Sequence, residues 1–177
     1  MTIFFDRALP NFYVWRPADG KENVEAWKWA LAKTDAPSAF VCSRQNLPLL
    51  DTPAKGSAAQ GGYLLSEAAD AAMTLMASGS EVALASEVQA KLAEKGVKAN
   101  VVSVPCFDLF LEQDAAYIDT IIKPGTKTVA IEAARGLEWY RFADTVIGMD
   151  TFGASAPAGE LFKKFGFSAE AICEALL

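Results

Sequence analysis

The stretch Met73-Thr74-Leu75-Met76-Ala77-Ser78-Gly79-Ser80-Glu81-Val82 decides the fold, because a short apolar run passes directly into an amphipathic helix. Met73 to Met76 read as a strand. Ser80 is placed to cap the helix that follows, and Glu81 sits in its first turn. Leu84, Ala85, Val88 and Leu92 recur at helical spacing, Glu87 and Lys91 stand one turn apart on the wet side, and Gly96 is a stop signal.

Downstream the alternation repeats. Val97 to Val104 is an apolar strand, nearly continuous in Val and Ala towards its end, as strands covered on both faces are. Helical segments follow to about Ile122, and Pro124-Gly125 turns the chain into the strand Thr128 to Ile131, with Glu132 just past its carboxyl end. A helix over Leu137 to Ala143, a short strand over Val146 to Met149, a loop over Thr151 to Pro157 and two closing helices, Ala158 to Phe165 and Ser168 to Leu177, complete the pattern.

Upstream, Tyr63-Leu64-Leu65 reads as another strand, and residues 49–62 are rich in Pro, Ala, Gly, Ser, Lys and Asp without periodicity, the composition of a linker. Before it, Phe12-Tyr13-Val14-Trp15 reads as a strand closed by Pro17, and Asp19 as a cap. A helix over Lys21 to Lys33 has Val24, Trp27, Ala30 and Leu31 as its apolar stripe, and Ser38 to Cys42 forms a second strand. The expected fold is α/β. Residues 56–177 form a three-layer helix-sheet-helix unit with a mostly parallel, mixed five-stranded sheet. Residues 1–55 hold a strand-helix-strand remnant of a second α/β domain plus the linker.

Composition narrows the chemistry. The 177 residues contain no histidine, so Ser-His-Asp and Cys-His arrangements and the His-Glu-x-x-His zinc helix are excluded from this chain. Cys42, Cys106 and Cys173 are odd in number and far apart, which indicates reduced thiols rather than a disulfide framework or a zinc site. The net charge of −6 argues against binding to nucleic acid or anionic lipid. No apolar run reaches the length of a membrane span, and Met1 to Pro10 lacks the pattern of a secretory leader. A cytoplasmic setting is expected.

The outstanding candidate residue is Arg44 in Ser43-Arg44-Gln45-Asn46-Leu47-Pro48, a guanidinium at the end of an apolar strand. Such a group is shaped to fork onto phosphate or carboxylate, and it serves equally in a structural pair with Asp or Glu. Gly79-Ser80-Glu81 reads as a helix cap rather than an anion loop, and Glu132, Glu67 and Asp150 as structural carboxylates. Trp27, Trp29, Trp139 and Tyr140 read as core or interface residues, and Lys163-Lys164 as a solvated helix face.

Six stretches, in order, resemble the last quarter of transketolases. They are Arg7-Ala8-Leu9-Pro10-Asn11, Trp15-Arg16-Pro17-Ala18-Asp19-Gly20, Ser43-Arg44-Gln45-Asn46-Leu47-Pro48, Gly61-Gly62-Tyr63, Gly79-Ser80-Glu81-Val82, and Phe152-Gly153-Ala154-Ser155-Ala156-Pro157 leading to Phe165-Gly166-Phe167. The resemblance implies the end of a pyrimidine-binding domain followed by a carboxyl-terminal domain. It also implies transfer of two-carbon ketol units between sugar phosphates, in the pentose phosphate pathway, with thiamine diphosphate and a divalent metal, Mg or Ca, in a homodimer. Arg44 matches the family's phosphate-binding arginine. The thiamine- and metal-binding portion would lie upstream of anything matching Met1, so the segment alone is expected to be inactive. The chain departs from the family at Gln60 and around Cys106-Phe107-Asp108. A rival reading is a free-standing binding or interaction module using the strand-end crevice near Ser80 and Glu132 for a small ligand or partner.

Overall fold

The computed structural model describes residues 7–177, so the leader reading of Met1 to Pro10 falls partly outside the described residues. Two sheets are present among the described residues. The smaller pairs β1 (Tyr13–Trp15) in parallel with β2 (Ser38–Phe40), connected by α1 (Gly20–Ala32). The larger contains β3 (Tyr63–Ser66), β4 (Met73–Ala77), β5 (Ala99–Ser103), β6 (Lys127–Ile131) and β7 (Thr145–Ile147) in the order β3-β5-β4-β6-β7. Only β3 runs antiparallel to its neighbour, with Tyr63 opposite Ser103. The mixed five-stranded sheet is therefore the expected one.

Side-chain alternation along the strands makes two cores. Leu75, Ala77, Val101, Val129 and Ile131 face α2 (Glu81–Glu94) and α6 (Ala169–Leu176), where Val82, Ala85, Val88, Leu92, Ile172 and Cys173 meet them. Met76, Val102 and Ala130 point to the opposite face, against Phe107 and Phe110 of α3 (Phe107–Leu111), Ile121 of α4 (Ala115–Ile121), and Trp139. Helices thus cover both faces. The helix α5 (Ala158–Lys164) packs Phe162 onto the first core. The segment expected to be a helix over Leu137 to Ala143 is a 3-10 helix, Leu137–Arg141.

Two local expectations change and a third is narrowed. The stripe of α1 faces outward: Val24, Trp27 and Leu31 are exposed, and Trp27 stacks on Phe40 with ring centroids 4.5 Å apart. The buried positions of α1 are Glu22 and Ala26, because the small Ala26 lets the helix settle beside Tyr13 and Trp15 while Glu22 finds hydrogen-bond donors. The apolar face that periodicity marks is left largely uncovered among the described residues. Next, Lys91 pairs with Glu170 of α6 at 2.8 Å rather than with Glu87. Finally, Tyr140 is exposed whereas Trp139 is fully buried.

The stretch between the two units is pinned. Ala54 N–H donates to the Leu64 carbonyl at 2.9 Å, and Leu64 N–H donates to the Lys55 carbonyl at 3.0 Å. Gly61 then turns with φ +81°, so close to α3 that a Cβ would stand 2.6 Å from the Cys106 carbonyl oxygen. Only glycine fits there. Further along, the Trp15–Cys106 bridge and the Arg16 N–H to Pro105 carbonyl bond of 2.8 Å join β1 to the end of β5. Two short strands and one helix cannot bury a core alone, and this joint supplies what they lack.

Candidate functional site

The chain leaves β4 for β5 on one side and later adds β6 on the other, so the carboxyl ends of β4 and β6 form the topological switch point where open α/β sheets place their ligands. Ser78 follows β4, Glu132 follows β6, and Glu81 opens α2; all three are buried. The group seated among them is Arg16, which follows β1. Its guanidinium donates to Ser78 Oγ at 3.1 Å, to Glu81 Oε2 at 2.8 Å and to Glu132 Oε1 in a short contact. Gly79, at φ +59°, lies against that guanidinium; a Cβ there would come within 3.3 Å of Arg16 Nη2.

A second guanidinium completes the group. Arg7 Nη1 reaches Glu138 Oε1 at 2.6 Å and Glu132 Oε2 at 3.3 Å, its Nη2 reaches Ser78 Oγ at 3.3 Å, and its Cζ stands 4.4 Å from the centre of the Phe107 ring. Trp139 Nε1–H donates to Glu132 Oε2 at 2.9 Å. The end of β5 is filled in the same way from α1. Glu22 Oε1 accepts from Tyr63 Oη at 2.8 Å and from Ser103 Oγ at 2.6 Å, and its Oε2 accepts from Ala18 N–H at 2.6 Å. The ends of β4, β5 and β6 are thus each met by a charged side chain from the β1-α1-β2 unit or the segment leading into it.

The carboxylates titrate in different directions. Burial pushes the Glu22 carboxyl up against three hydrogen bonds that favour its charged form. Burial also raises Glu81, with Arg16 opposing and Glu132 adding to the rise. For Glu132, burial is outweighed by Arg16 and Arg7, which hold it below the usual glutamate range. A carboxyl depressed in the folded state contributes stability above its unfolded pKa and loses it as pH falls through its folded value. The penalty of Glu132→Gln is therefore expected to be largest at neutral pH, about 3–5 kcal/mol for a broken buried pair, and to shrink on acidification below the glutamate range. Urea midpoints of both proteins from pH 7 down to about pH 2.5 check this; a pH-independent difference over that whole range rejects it.

Glu132 is the structural carboxylate the sequence suggested. Ser80 is not the expected side-chain cap: it lies in the right-handed helical region, and its hydroxyl donates to Glu81 Oε1 at 2.7 Å. Gly79-Ser80-Glu81 instead forms the seat of Arg16. Glu67 pairs with Lys55 at 2.8 Å, and Lys163 and Lys164 are exposed. Arg44 stands outside all of these contacts, exposed in the loop that follows β2, with no carboxylate within ion-pair distance among the described residues. Arg16, Arg7 and Glu22 were not singled out from the sequence. The available signal was Arg16 at the end of an apolar strand, the same pattern that drew attention to Arg44.

The described residues do not fit a divalent metal. Their clustered carboxylates face guanidinium groups, and no set of three His, Cys, Asp or Glu among them is arranged to hold a metal. At Glu132 the crevice is filled, since that residue is fully buried with both its oxygens engaged, whereas Ser80 is half-buried and borders an open groove with Gln45, Leu47 and Phe162.

Comparison with known proteins agrees with this architecture. Residues 61–168 match the transketolase-like TK C-terminal domain and residues 2–49 the transketolase pyrimidine binding domain. Transketolase 2 of Aliivibrio fischeri is 46% identical over 171 residues, covering 93% of this chain and 26% of the relative; transketolase 1 of Saccharomyces cerevisiae is 41% identical over 173 residues, covering 98% and 25%. The chain spans about a quarter of the length of these curated relatives. The crystal structure of the Campylobacter jejuni transketolase superposes with a TM-score of 0.93 at 44% identity, over 98% of this chain and 27% of that one. A Pichia stipitis transketolase in complex with sedoheptulose-7-phosphate gives 0.92 at 37%, over 98% and 26%. With both of its units matched in order and its fold shared throughout, the chain belongs to the transketolase family.

Proposed function

We propose that this chain acts as the carboxyl-terminal portion of a thiamine diphosphate-dependent transketolase, in which Arg44 anchors the phosphate of sugar-phosphate substrates. Residues 56–177 then serve as the body against which the Arg44-bearing unit is held, with the division near Gly56. The single observation that carries the reading is the contrast between two arginines that follow the neighbouring parallel strands β1 and β2. Arg16 is spent on buried carboxylates, whereas Arg44 projects from an exposed loop with its charge available to an anion. Sugar-phosphate complexes of the Pichia stipitis relative support the substrate class. The outward face of α1, with Val24, Trp27 and Leu31, supports a larger pyrimidine-binding portion covering it in the working enzyme. Free thiols at Cys42, Cys106 and Cys173 suit a reducing, cytoplasmic setting, and a homodimer is the assembly the family implies.

Ketol transfer needs residues beyond these. The purified chain, given thiamine diphosphate, Mg or Ca, a ketose phosphate and an aldose phosphate, is expected to show no turnover above background. Measurable transfer by the chain alone overturns that reading.

A further inference from the structure

The loop carrying Arg44 runs from Val41 to Leu50 without helix or strand, and residues 44–46, 48 and 49 are exposed. Its two ends are tied to one place. At the start, Val41 N–H donates to the Trp15 carbonyl at 2.8 Å. At the end, Leu50 N–H donates to Asp19 Oδ2 at 2.9 Å, and the Leu50 carbonyl accepts from Lys21 Nζ at 2.6 Å. Trp15, Asp19 and Lys21 belong to the same β1-α1 turn, so that turn sets both where the loop leaves and where it returns.

Asp19 does two jobs at once. It is only 7% exposed, and its other oxygen, Oδ1, accepts from Glu22 N–H at 2.8 Å as the cap of α1. Capping alone needs one short acceptor, which Ser or Thr supplies as well as Asp. The second carboxylate oxygen is what reaches across to Leu50. We infer that Asp19 is a positioning residue for Arg44: by clipping Leu50 to the start of α1 it fixes the return of the loop, and with it the place of the Arg44 guanidinium. This rests on the reading of Arg44 as the phosphate anchor. A charged group held away from its productive position loses much of its binding effect, even when it remains present.

The test separates the two jobs of Asp19. Asp19→Ser keeps a capping acceptor and loses the reach to Leu50, whereas Asp19→Ala loses both. In a complete transketolase carrying this segment, Asp19→Ser is expected to raise KM for phosphorylated substrates roughly tenfold, with kcat and the KM of an unphosphorylated ketose unchanged. Adding it to Arg44→Ala is expected to bring no further change. In the chain itself, hydrogen exchange of the Leu50 amide, which Asp19 holds at the end of the loop, is expected to quicken in Asp19→Ser while α1 amides keep their wild-type rates.

An equal rise in KM for phosphorylated and unphosphorylated substrates, or no rise in either, overturns the positioning role. Unchanged exchange at Leu50 overturns it too. If Arg44→Ala itself leaves KM unaltered, the anchor reading fails instead, and the exchange measurement alone then decides whether Asp19 orders the loop.

Discussion

Arg16→Ala is expected to destabilise the chain by about 3–5 kcal/mol, because it leaves the buried Glu81 without its cation and Glu132 with only the longer contact to Arg7. Burial disfavours the charged form of Arg16, but Glu132 and Glu81 outweigh it and hold the guanidinium firmly protonated. The loss is therefore one of a permanent charge. Arg16→Lys keeps the charge without the planar fork that serves Ser78, Glu81 and Glu132 together, so it should fall between wild type and Ala. Urea unfolding of the three proteins at neutral pH gives the order directly. A midpoint for Arg16→Ala equal to that of wild type contradicts the account.

The second large effect belongs to Arg44 and to catalysis rather than stability. In a complete enzyme, Arg44→Ala should raise KM for phosphorylated substrates roughly 10- to 150-fold, the equivalent of losing a charge-assisted bond of about 1.5–3 kcal/mol. Because Arg44 is exposed and makes no ion pair among the described residues, its removal should leave the unfolding midpoint near wild type. Surface substitutions away from buried networks usually change stability by no more than about 0.5 kcal/mol. The opposite pattern, lost stability with unchanged KM, would assign Arg44 the structural role that Arg16 fills.

Those two arginines show how far sequence carries this protein. Each closes or follows an apolar strand, and from sequence each is equally suited to a phosphate or a carboxylate. What separates them is the company brought by the fold: Glu81 is 65 residues from Arg16 and Glu132 is 116. No local pattern announces such a pairing. The alternation of strands and helices was legible, because the buried strands and the stripe of α2 carry their own periodicity. The outward face of α1 was not, since its periodicity is as regular as that of a buried helix and the partner that would reverse the reading lies in other elements. Ser80 failed as a cap for a related reason. Gly79 takes φ +59° to admit the Arg16 guanidinium, and the turn it makes brings Ser80 into helical conformation rather than the extended one a cap requires.

A strand-end crevice of the kind α/β sheets devote to ligands is used here to lock the Arg44-bearing unit in place. A double-mutant cycle between Arg16 and Glu132, read by urea unfolding at neutral pH, tests it most directly. The expected coupling free energy is above about 1.5 kcal/mol, with the double variant losing far less than the sum of the singles. Additivity within about 0.5 kcal/mol would mean that the two side chains do not hold the units together, and would contradict it.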